Sequence, residues 1–393
     1  MGKDSEALFE DMGNTWSFLT ADSQLRWIGP EKGVISLATG AVVNAVWDMF
    51  SKARNKPLWQ LKQFVQATAF RYISDAITKE EALATLRRLE PGKEERLKRV
   101  TQEGYPAYTT SVGWAGYSDE KIVRLTKEAL AQGFNHFKVK VGITPEDDSR
   151  RLGLVRSIID DPANWLDRKT QPPPESLVGK NAGPTGGVLM MDANQVWDVD
   201  QAIEWCKRLS KHNLWFIEEP TAPDDILGHA KIRAGLNGIM GVATGEHAHN
   251  RMTFKQLLQA EAIDVCQIDS CRVAGVNEIL AILLMAAKFG IPVCPHAGGV
   301  GLCEMVIHLS LVDYICVSGS MDRTVLEYVD HLHEHFVYPV SINELGRYNV
   351  PRHSKEGYSI QIREDSIKVF GFPDGSYWSS DEAKKAHSIA AIT

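Results

Sequence analysis

Three acidic residues follow short apolar segments at nearly equal intervals along this chain. Asp192 ends the segment VLMMD, Glu218 ends WFIE and Glu246 ends GVATGE, at intervals of 26 and 28 residues. Each interval approximates one strand-and-helix unit, and the ends of successive parallel strands in a closed barrel share one mouth, where barrel enzymes carry out catalysis. Converging carboxylates repel one another unless a cation lies between them, and an all-oxygen set favours Mg²⁺. The three residues therefore predict a Mg²⁺ site.

Two lysines precede this series in the segment HFKVKVG. Lys138 and Lys140 are two residues apart, so on a strand both side chains point to one face. The alternating Phe137, Val139 and Val141 would then pack outward against helices, which favours lysines in the barrel interior over lysines on the surface. A neighbouring ammonium group and a metal ion favour the neutral form of Lys140, which predicts that it acts as a base.

Asp269 and His296 come at the same level on two further predicted strands, in VCQIDS and VCPHAGG. A carboxylate beside an imidazole fixes the tautomer of the ring and raises its pKa, which produces a proton donor or acceptor. A histidine before a glycine run is more often structural when it stands alone. Beside a metal set, the pair is better interpreted as catalytic.

The elements that must position these residues alternate regularly from residue 107 onward. Between the predicted strands lie helix-like segments such as SDEKIVRLTKEALAQGF. Strict alternation favours an α/β fold with a closed parallel barrel over an open doubly wound sheet, and the nucleotide-binding glycine motifs are absent from the sequence. Residues 1–100 are predicted to be mostly helical. The predicted strands are 107–112, 136–141, 188–192, 215–218, 241–245, 264–268, 292–295 and 314–318.

The composition is that of a soluble globular protein, with 44% hydrophobic and 24% charged residues in 393. A net charge of −7 without a basic tract argues against a nucleic-acid partner. No stretch reaches the length of an apolar membrane span, and the acidic start lacks the features of a signal or transit peptide. The six cysteines form no CxxC pair, which is typical of reduced thiols inside cells. We therefore expect a cytoplasmic protein that acts on a small molecule.

Longer segments identify a resemblance that covers nearly the whole chain. The residues described above, together with the motifs that follow, resemble the mandelate racemase subgroup of the enolase superfamily, and within it the L-fuconate dehydratase group. The motifs are LRWIGPEKGV, PAYTTSVGW, FKVKVG, EEPTAPDDILGH, QIDSCR, PHAGGVGLCE and EYVDHLHEHF. The resemblance implies a modified (β/α)7β barrel (105–320, with a Pro/Gly-rich insertion at 167–187), a helical capping remnant (1–104) and a C-terminal segment that packs on the cap (321–393).

The same resemblance implies a chemistry and a role for each residue. The reaction would be Mg²⁺-dependent dehydration of a six-carbon, L-fuconate-like sugar acid to a 2-keto-3-deoxy acid, through removal of the C2 proton and an enediolate. The implied protein is a homo-oligomer. Asp192, Glu218 and Glu246 would bind Mg²⁺; Lys140 would be the base; His296, oriented by Asp269, would be the acid; Lys138, Asn194 and Glu327 would hold the substrate.

Several alternatives stay open at this stage. Within enzymes they are L-galactonate dehydration and racemisation or epimerisation on the same scaffold; outside enzymes, the alternative is a catalytically impaired protein with a binding or assembly role. Family members carry further residues before the position of Met1, which form cap strands and a specificity loop. If Met1 is the true start, we expect weak turnover with metal binding retained; if it is not, a mitochondrial location stays open.

Overall fold

A single parallel sheet forms the centre of the computed structural model, which describes residues 4–29, 31–61, 72–165, 181–353 and 355–390. Most of the predicted insertion at 167–187 lies outside the described residues. The strands are short and almost entirely buried, as expected for a parallel sheet covered by helices. They are β1 (Tyr105–Gly113), β2 (His136–Lys140), β3 (Val188–Asp192), β4 (Leu214–Glu218), β5 (Gly241–Thr244), β6 (Val265–Cys266), β7 (Leu326–Tyr328) and β8 (Arg347–Tyr348).

The sheet has the order β6-β5-β4-β3-β2-β1-β7, with all of these pairs parallel, while β8 pairs antiparallel with β1. Its register brings the charged strand ends to one level. Lys140 of β2 is paired with Asp192 of β3, which is paired in turn with Glu218 of β4. The sequence prediction that these residues share one edge of the sheet is confirmed.

The two ends of this strand path curl toward each other. Segment 292–296 pairs in parallel with the chain around β6, where the amide of Cys294 donates to the carbonyl of Cys266 (2.9 Å). At the same level, the amide of Ala297 donates to Oε2 of Glu327 on β7 (2.9 Å). The sheet is therefore curled into a barrel, as predicted.

One predicted strand is wrong. Residues 314–318 lie in a π-helical turn, Asp313–Ser318, that continues the preceding helix. The strand beside β1 is β7, which pairs Glu327 with Tyr108. The segment DYICVS is apolar enough to resemble a buried strand, whereas β7 is only three residues long. A continuous apolar segment does not by itself distinguish a buried helix from a buried strand.

Helices cover the outside of the barrel, and side chains cap many of their first turns. Ser118, for example, accepts from the amide of Lys121. The helix that follows residue 275 ends at Gly290 in a left-handed conformation, φ +69°, which glycine adopts readily. These helices are α7 (Asp119–Ala131), α8 (Pro145–Ile159), α9 (Val199–Leu209), α10 (Ile226–Leu236), α11 (Arg251–Gln259), α12 (Val276–Phe289) and α13 (Leu302–Val312).

The N-terminal region is mostly helical, as predicted, and packs against both the barrel and the C-terminal segment. Nε1 of Trp59 donates to the carbonyl of Pro351 (2.9 Å), and the amide of Tyr358 donates to Oδ1 of Asp48 (2.7 Å). The N-terminal helices are α1 (Ser5–Glu10), α2 (Met12–Thr20), α3 (Ser23–Ile28), α4 (Gly33–Ala53), α5 (Lys79–Arg88) and α6 (Lys93–Glu103), and the C-terminal ones are α14 (Glu364–Phe370) and α15 (Asp381–Ala390).

Helix α4 bears on the sequence-based expectation that no segment is long and apolar enough to span a membrane. Within the described residues it alone is long and apolar enough to cross a membrane, by length and composition only. A core helix passes the same test, and one face of α4 is buried in the protein through Val43, Trp47 and Phe50. Nε1 of Trp47 also donates to Oδ1 of Asn277 on α12 (2.9 Å). We therefore describe α4 as a core helix.

Asp313 is an acid buried in the barrel wall, with 3% of its surface exposed. Burial raises the pKa of its carboxyl from 3.8 to about 7, although a hydrogen bond from Ser318 opposes the shift. The unfolded chain releases this proton near pH 4, whereas the folded chain keeps it until about pH 7. The free energy of unfolding therefore falls as the pH rises through that window, by roughly 4 kcal/mol in total.

Replacing Asp313 with asparagine should remove this loss. We expect D313N to raise the free energy of unfolding near pH 7.5 by a few kcal/mol and to leave it almost unchanged at pH 4, where the buried carboxyl of the folded wild type is neutral, like the amide that replaces it. Urea unfolding at pH 4, 5.5 and 7.5 measures the difference. Equal slopes of stability against pH in D313N and wild type would contradict a neutral buried carboxyl.

Candidate active site at the barrel mouth

Lys138 is a charged group almost fully buried at the mouth, with 1% of its surface exposed. Its Nζ lies 2.7 Å from both carboxylate oxygens of Glu218, 3.4 Å from Oε1 of Glu327 and 3.6 Å from Oδ2 of Asp192. Burial opposes protonation, but these carboxylates outweigh it and raise the pKa of Lys138 well above its usual value. Lys138 is therefore a fixed positive charge.

Lys140 occupies a more open position on the same face of β2. Its Nζ lies 2.5 Å from Oδ2 of Asp192, and 26% of its side chain is exposed. The two lysines share a face, as predicted, but only Lys140 is accessible from the mouth. A bound molecule can therefore reach the amine of Lys140, whereas Lys138 is enclosed by carboxylates.

Asp192 and Glu218 lie side by side at the ends of β3 and β4, and both are fully buried. Burial opposes the ionisation of Asp192, but the ammonium groups of Lys138 and Lys140 outweigh it and lower its pKa. Burial raises the pKa of Glu218 well above its usual value, because Lys138 is shared with other carboxylates and cannot offset the repulsion from Asp192, Glu246 and Glu327. Burial and the neighbouring carboxylates thus favour the neutral form of Glu218, whereas the lysines favour the ionised form of Asp192.

Glu246 follows β5 and completes the predicted carboxylate set. Its Oε2 lies 3.6 Å from Nε2 of His296, and its Oε1 lies 3.3 Å from Nδ1 of His247. The preceding residue has to be glycine: Gly245 has φ +140°, and a Cβ there would lie 2.5 Å from the carbonyl oxygen of Gln267. This close approach turns the chain so that Glu246 reaches the mouth.

His296 and Asp269 form the predicted pair. Nδ1 of His296 lies 2.7 Å from Oδ2 of Asp269, whose other oxygen accepts from the amides of Cys271 (2.7 Å) and Arg272 (2.9 Å). Burial opposes protonation of the ring, but Glu327, Asp269 and Glu246 outweigh it and raise the pKa of His296 to about 10. With Asp269 on Nδ1, the ring presents Nε2 to the mouth.

Glu327 and Asn194 are the remaining residues that the sequence placed in the site. Glu327 on β7 is 3% exposed, and burial opposes its ionisation, but Lys138 and His296 outweigh burial and lower its pKa. Asn194 has an exposed side chain, while its amide donates to Oδ1 of Asp192 (2.9 Å). The structure therefore brings every predicted residue to one mouth, with Asn194 at its outer edge.

Sequence reasoning did not assign five polar residues that line the same mouth. Tyr108 and Gln267 contact the buried charges: the Tyr108 hydroxyl lies 3.3 Å from Nζ of Lys138, and Nε2 of Gln267 donates to Oε2 of Glu218 (2.7 Å). The others, Gln195, Glu219 and His247, contact one another, and each lies within three residues of a predicted ligand. That proximity in sequence was the available signal for them.

The donor set fits a hard divalent cation. Carboxylates dominate the mouth, all presenting oxygen, which is what Mg²⁺ prefers. Burial, with further repulsion from Asp192, Glu246 and Glu327, raises the pKa of Glu218, so an additional positive charge beside this carboxyl would favour its ionised form. Among the described residues, Glu219, Glu246 and His247 have ligand atoms within 4.8 Å of one another, which places cation-binding groups around Glu246. Lys138 and Lys140 occupy the oxygens of Asp192 and Glu218.

Comparison with known proteins agrees with this geometry. A family model described as enolase C-terminal domain-like matches residues 176–366. The chain is 50% identical to L-galactonate dehydratase of Hypocrea jecorina, over 97% of this chain and 81% of that protein. The crystal structure of human mitochondrial enolase superfamily member 1 is similar, with a TM-score of 0.87 and 49% identity, over 96% of this chain and 81% of that one.

A more distant structure shares the fold. L-talarate/galactarate dehydratase from Salmonella typhimurium, liganded with Mg and L-lyxarohydroxamate, has a TM-score of 0.65 and 24% identity, over 94% of this chain and 73% of that one. The half-identical relatives match nearly the whole of the present chain. The chain belongs to the enolase superfamily.

Proposed function

We propose that this protein is a Mg²⁺-dependent hydro-lyase that converts a six-carbon sugar acid into a 2-keto-3-deoxy acid. The observation that carries the proposal is the placement of Lys140 and His296. They lie on either side of β3, β4 and β5, whose ends present Asp192, Glu218 and Glu246 to the same mouth. A base and an acid that flank a carboxylate cluster suit the removal of one proton and the expulsion of one hydroxyl.

The side chains divide the reaction between them. Asp192, Glu218 and Glu246 would hold Mg²⁺, which, when bound, neutralises charge on the substrate carboxylate and on the enediolate that proton loss produces. Lys140, whose amine is partly exposed at the mouth, would take the C2 proton. Lys138, fixed and charged, and Glu327 would orient the carboxylate end of the substrate.

His296 would complete the elimination. Nε2 faces the mouth because Nδ1 is held by Asp269, which is fixed in turn by two backbone amides. A proton delivered from Nε2 to the C3 hydroxyl releases water, and the resulting enol becomes the 2-keto product. Asn194, whose side chain is exposed, would contact hydroxyl groups farther along the substrate.

Two substrates are favoured for different reasons. The sequence motifs resemble the L-fuconate dehydratase group, whereas a half-identical relative is L-galactonate dehydratase. L-Fuconate is the 6-deoxy form of L-galactonate, so the two differ only at C6 and share the stereochemistry on which the mouth acts. We propose that the substrate carries this shared configuration.

The test is incubation of the purified chain with Mg²⁺ and a panel of six-carbon aldonic acids that includes both compounds. We expect 2-keto-3-deoxy product from L-fuconate, L-galactonate or both, loss of turnover on treatment with EDTA, and recovery on addition of Mg²⁺. A product of unchanged mass would instead identify an epimerase or racemase. A folded protein that binds Mg²⁺ but leaves the whole panel unreacted would favour a non-catalytic role.

A further inference from the structure

Three residues outside the predicted ligand set follow the three proposed ligands in order. Gln195 lies three residues after Asp192, the last residue of β3; Glu219 directly follows Glu218, the last residue of β4; and His247 directly follows Glu246. We call Gln195, Glu219 and His247 the outer triad. The segment that follows each of β3, β4 and β5 therefore carries one member of the outer triad.

The members of the outer triad contact one another closely. Nε2 of Gln195 donates to Oε2 of Glu219 (2.9 Å), and Oε1 of Glu219 lies 2.6 Å from Nδ1 of His247. Gln195 Nε2 and His247 Nδ1 are 2.8 Å apart. Glu219 is fully buried at the centre, whereas 29% of the His247 side chain is exposed. The triad is thus a compact, charged contact across three strand ends.

Backbone hydrogen bonds join the same three strand ends. The amide of Gln195 donates to the carbonyl of Glu219 (2.8 Å), and the amide of Glu219 donates to the carbonyl of Ala243 (3.0 Å). Gln195 and Glu219 have φ of +69° and +44°, a conformation that costs free energy in residues with side chains. Surrounding contacts must hold such a conformation, and the side chains of the triad supply them.

Glu246 depends most on this arrangement. Asp192 and Glu218 are buried, and each accepts at least one hydrogen bond of 2.9 Å or less. The described contacts of the Glu246 carboxylate are longer, 3.3 Å to His247 and 3.6 Å to His296. His247 is held by Glu219 and follows Glu246 directly, so the position of the triad sets the position of Glu246.

From this geometry we infer that the outer triad is a positioning unit, which fixes the spacing of Glu246 relative to Asp192 and Glu218 and so sets the affinity for Mg²⁺. The inference rests on the metal site of the proposed function. Removing a group that hydrogen-bonds to a metal ligand and orients it commonly lowers the affinity for the metal 10–100-fold. The triad would hold Glu246 in position through its side-chain contacts, and Mg²⁺ would be bound by Asp192, Glu218 and Glu246 alone.

Mg²⁺ titration calorimetry on the full chain tests the inference without a substrate. We expect Glu219→Gln and His247→Ala to weaken Mg²⁺ binding about tenfold or more, with one ion bound per chain. His247→Asn should stay close to wild type, because its amide places a nitrogen where Nδ1 of the imidazole lies. The matched control is Glu278→Gln, another fully buried carboxylate, which pairs with Arg251 on α11.

Thermal unfolding separates positioning from general damage. The inference is supported if Glu219→Gln and Glu278→Gln lower the melting temperature similarly while only Glu219→Gln weakens Mg²⁺ binding. Wild-type affinity in Glu219→Gln and His247→Ala would overturn it. Two ions in wild type, of which Glu219→Gln removes one, would also overturn it, because Glu219 would then be a ligand. Absence of Mg²⁺ binding in wild type would instead reject the metal site of the proposed function, and the triad's role with it.

Discussion

Replacing Lys140 with alanine is expected to abolish turnover while leaving the fold and the metal site intact. Lys140 is the amine at the mouth that a substrate can reach, with 26% of its side chain exposed, whereas Lys138 is enclosed by Asp192, Glu218 and Glu327. Removing a general base costs on the order of 10²–10⁴ in rate, and no other described amine is placed to replace it. We expect kcat to fall by about 10³ or more.

Mg²⁺ binding provides the control for this variant. Lys140→Ala removes a positive charge from Asp192, so the affinity for Mg²⁺ should be unchanged or higher. Lys121→Ala, at a lysine on α7 that lies over the Tyr117 ring, tests for effects of losing any lysine and should retain full activity. Turnover within tenfold of wild type in Lys140→Ala would contradict the assignment of Lys140 as the base.

Much of this site was predictable because strand ends recur at a fixed interval. A residue at the carboxyl end of each parallel strand reaches the same mouth, so spacing alone brought Asp192, Glu218 and Glu246 together, and Lys140 joins them as the last residue of the preceding strand, β2. Alternation then oriented Lys138 and Lys140 to one face. The sequence could not show how differently these lysines are enclosed, because their surroundings come from distant strands such as β7.

The outer triad could not be predicted from the alternation of side chains along a strand. Neighbouring residues on a strand point to opposite faces, so Glu219 should point away from the mouth when Glu218 points into it. Left-handed backbone conformations at Gln195 and Glu219 break the alternation and return both side chains to the mouth side. Positive φ in residues other than glycine is uncommon and has no reliable sequence signal.

The wrongly predicted strand at 314–318 has a different cause. Nearly every residue of α13 and of the π-helical turn is buried, so the sequence there shows no alternation of apolar and polar residues that would distinguish a helix from a strand.

Replacing His296 with asparagine is expected to separate the two halves of the reaction. The amide has the approximate size of the imidazole near Asp269 but cannot deliver a proton from the Nε2 position. Expulsion of the C3 hydroxyl should therefore slow by about 10²–10⁴, whereas proton removal at C2 by Lys140 should continue. In D₂O the variant should exchange the C2 hydrogen of the substrate for deuterium without forming the keto acid.

Proton NMR of the substrate during incubation with His296→Asn follows this exchange, and a keto-acid assay on the same sample follows elimination. Lys140→Ala should show neither process, because exchange and elimination both begin with loss of the C2 proton. Loss of exchange as well as elimination in His296→Asn would mean that His296 also takes part in proton removal, as in a racemase with two bases. Exchange without elimination would show that the base and the acid are different residues. Lys140 on β2 would be the base, and His296, on the other side of the carboxylate cluster, would be the acid, as dehydration requires.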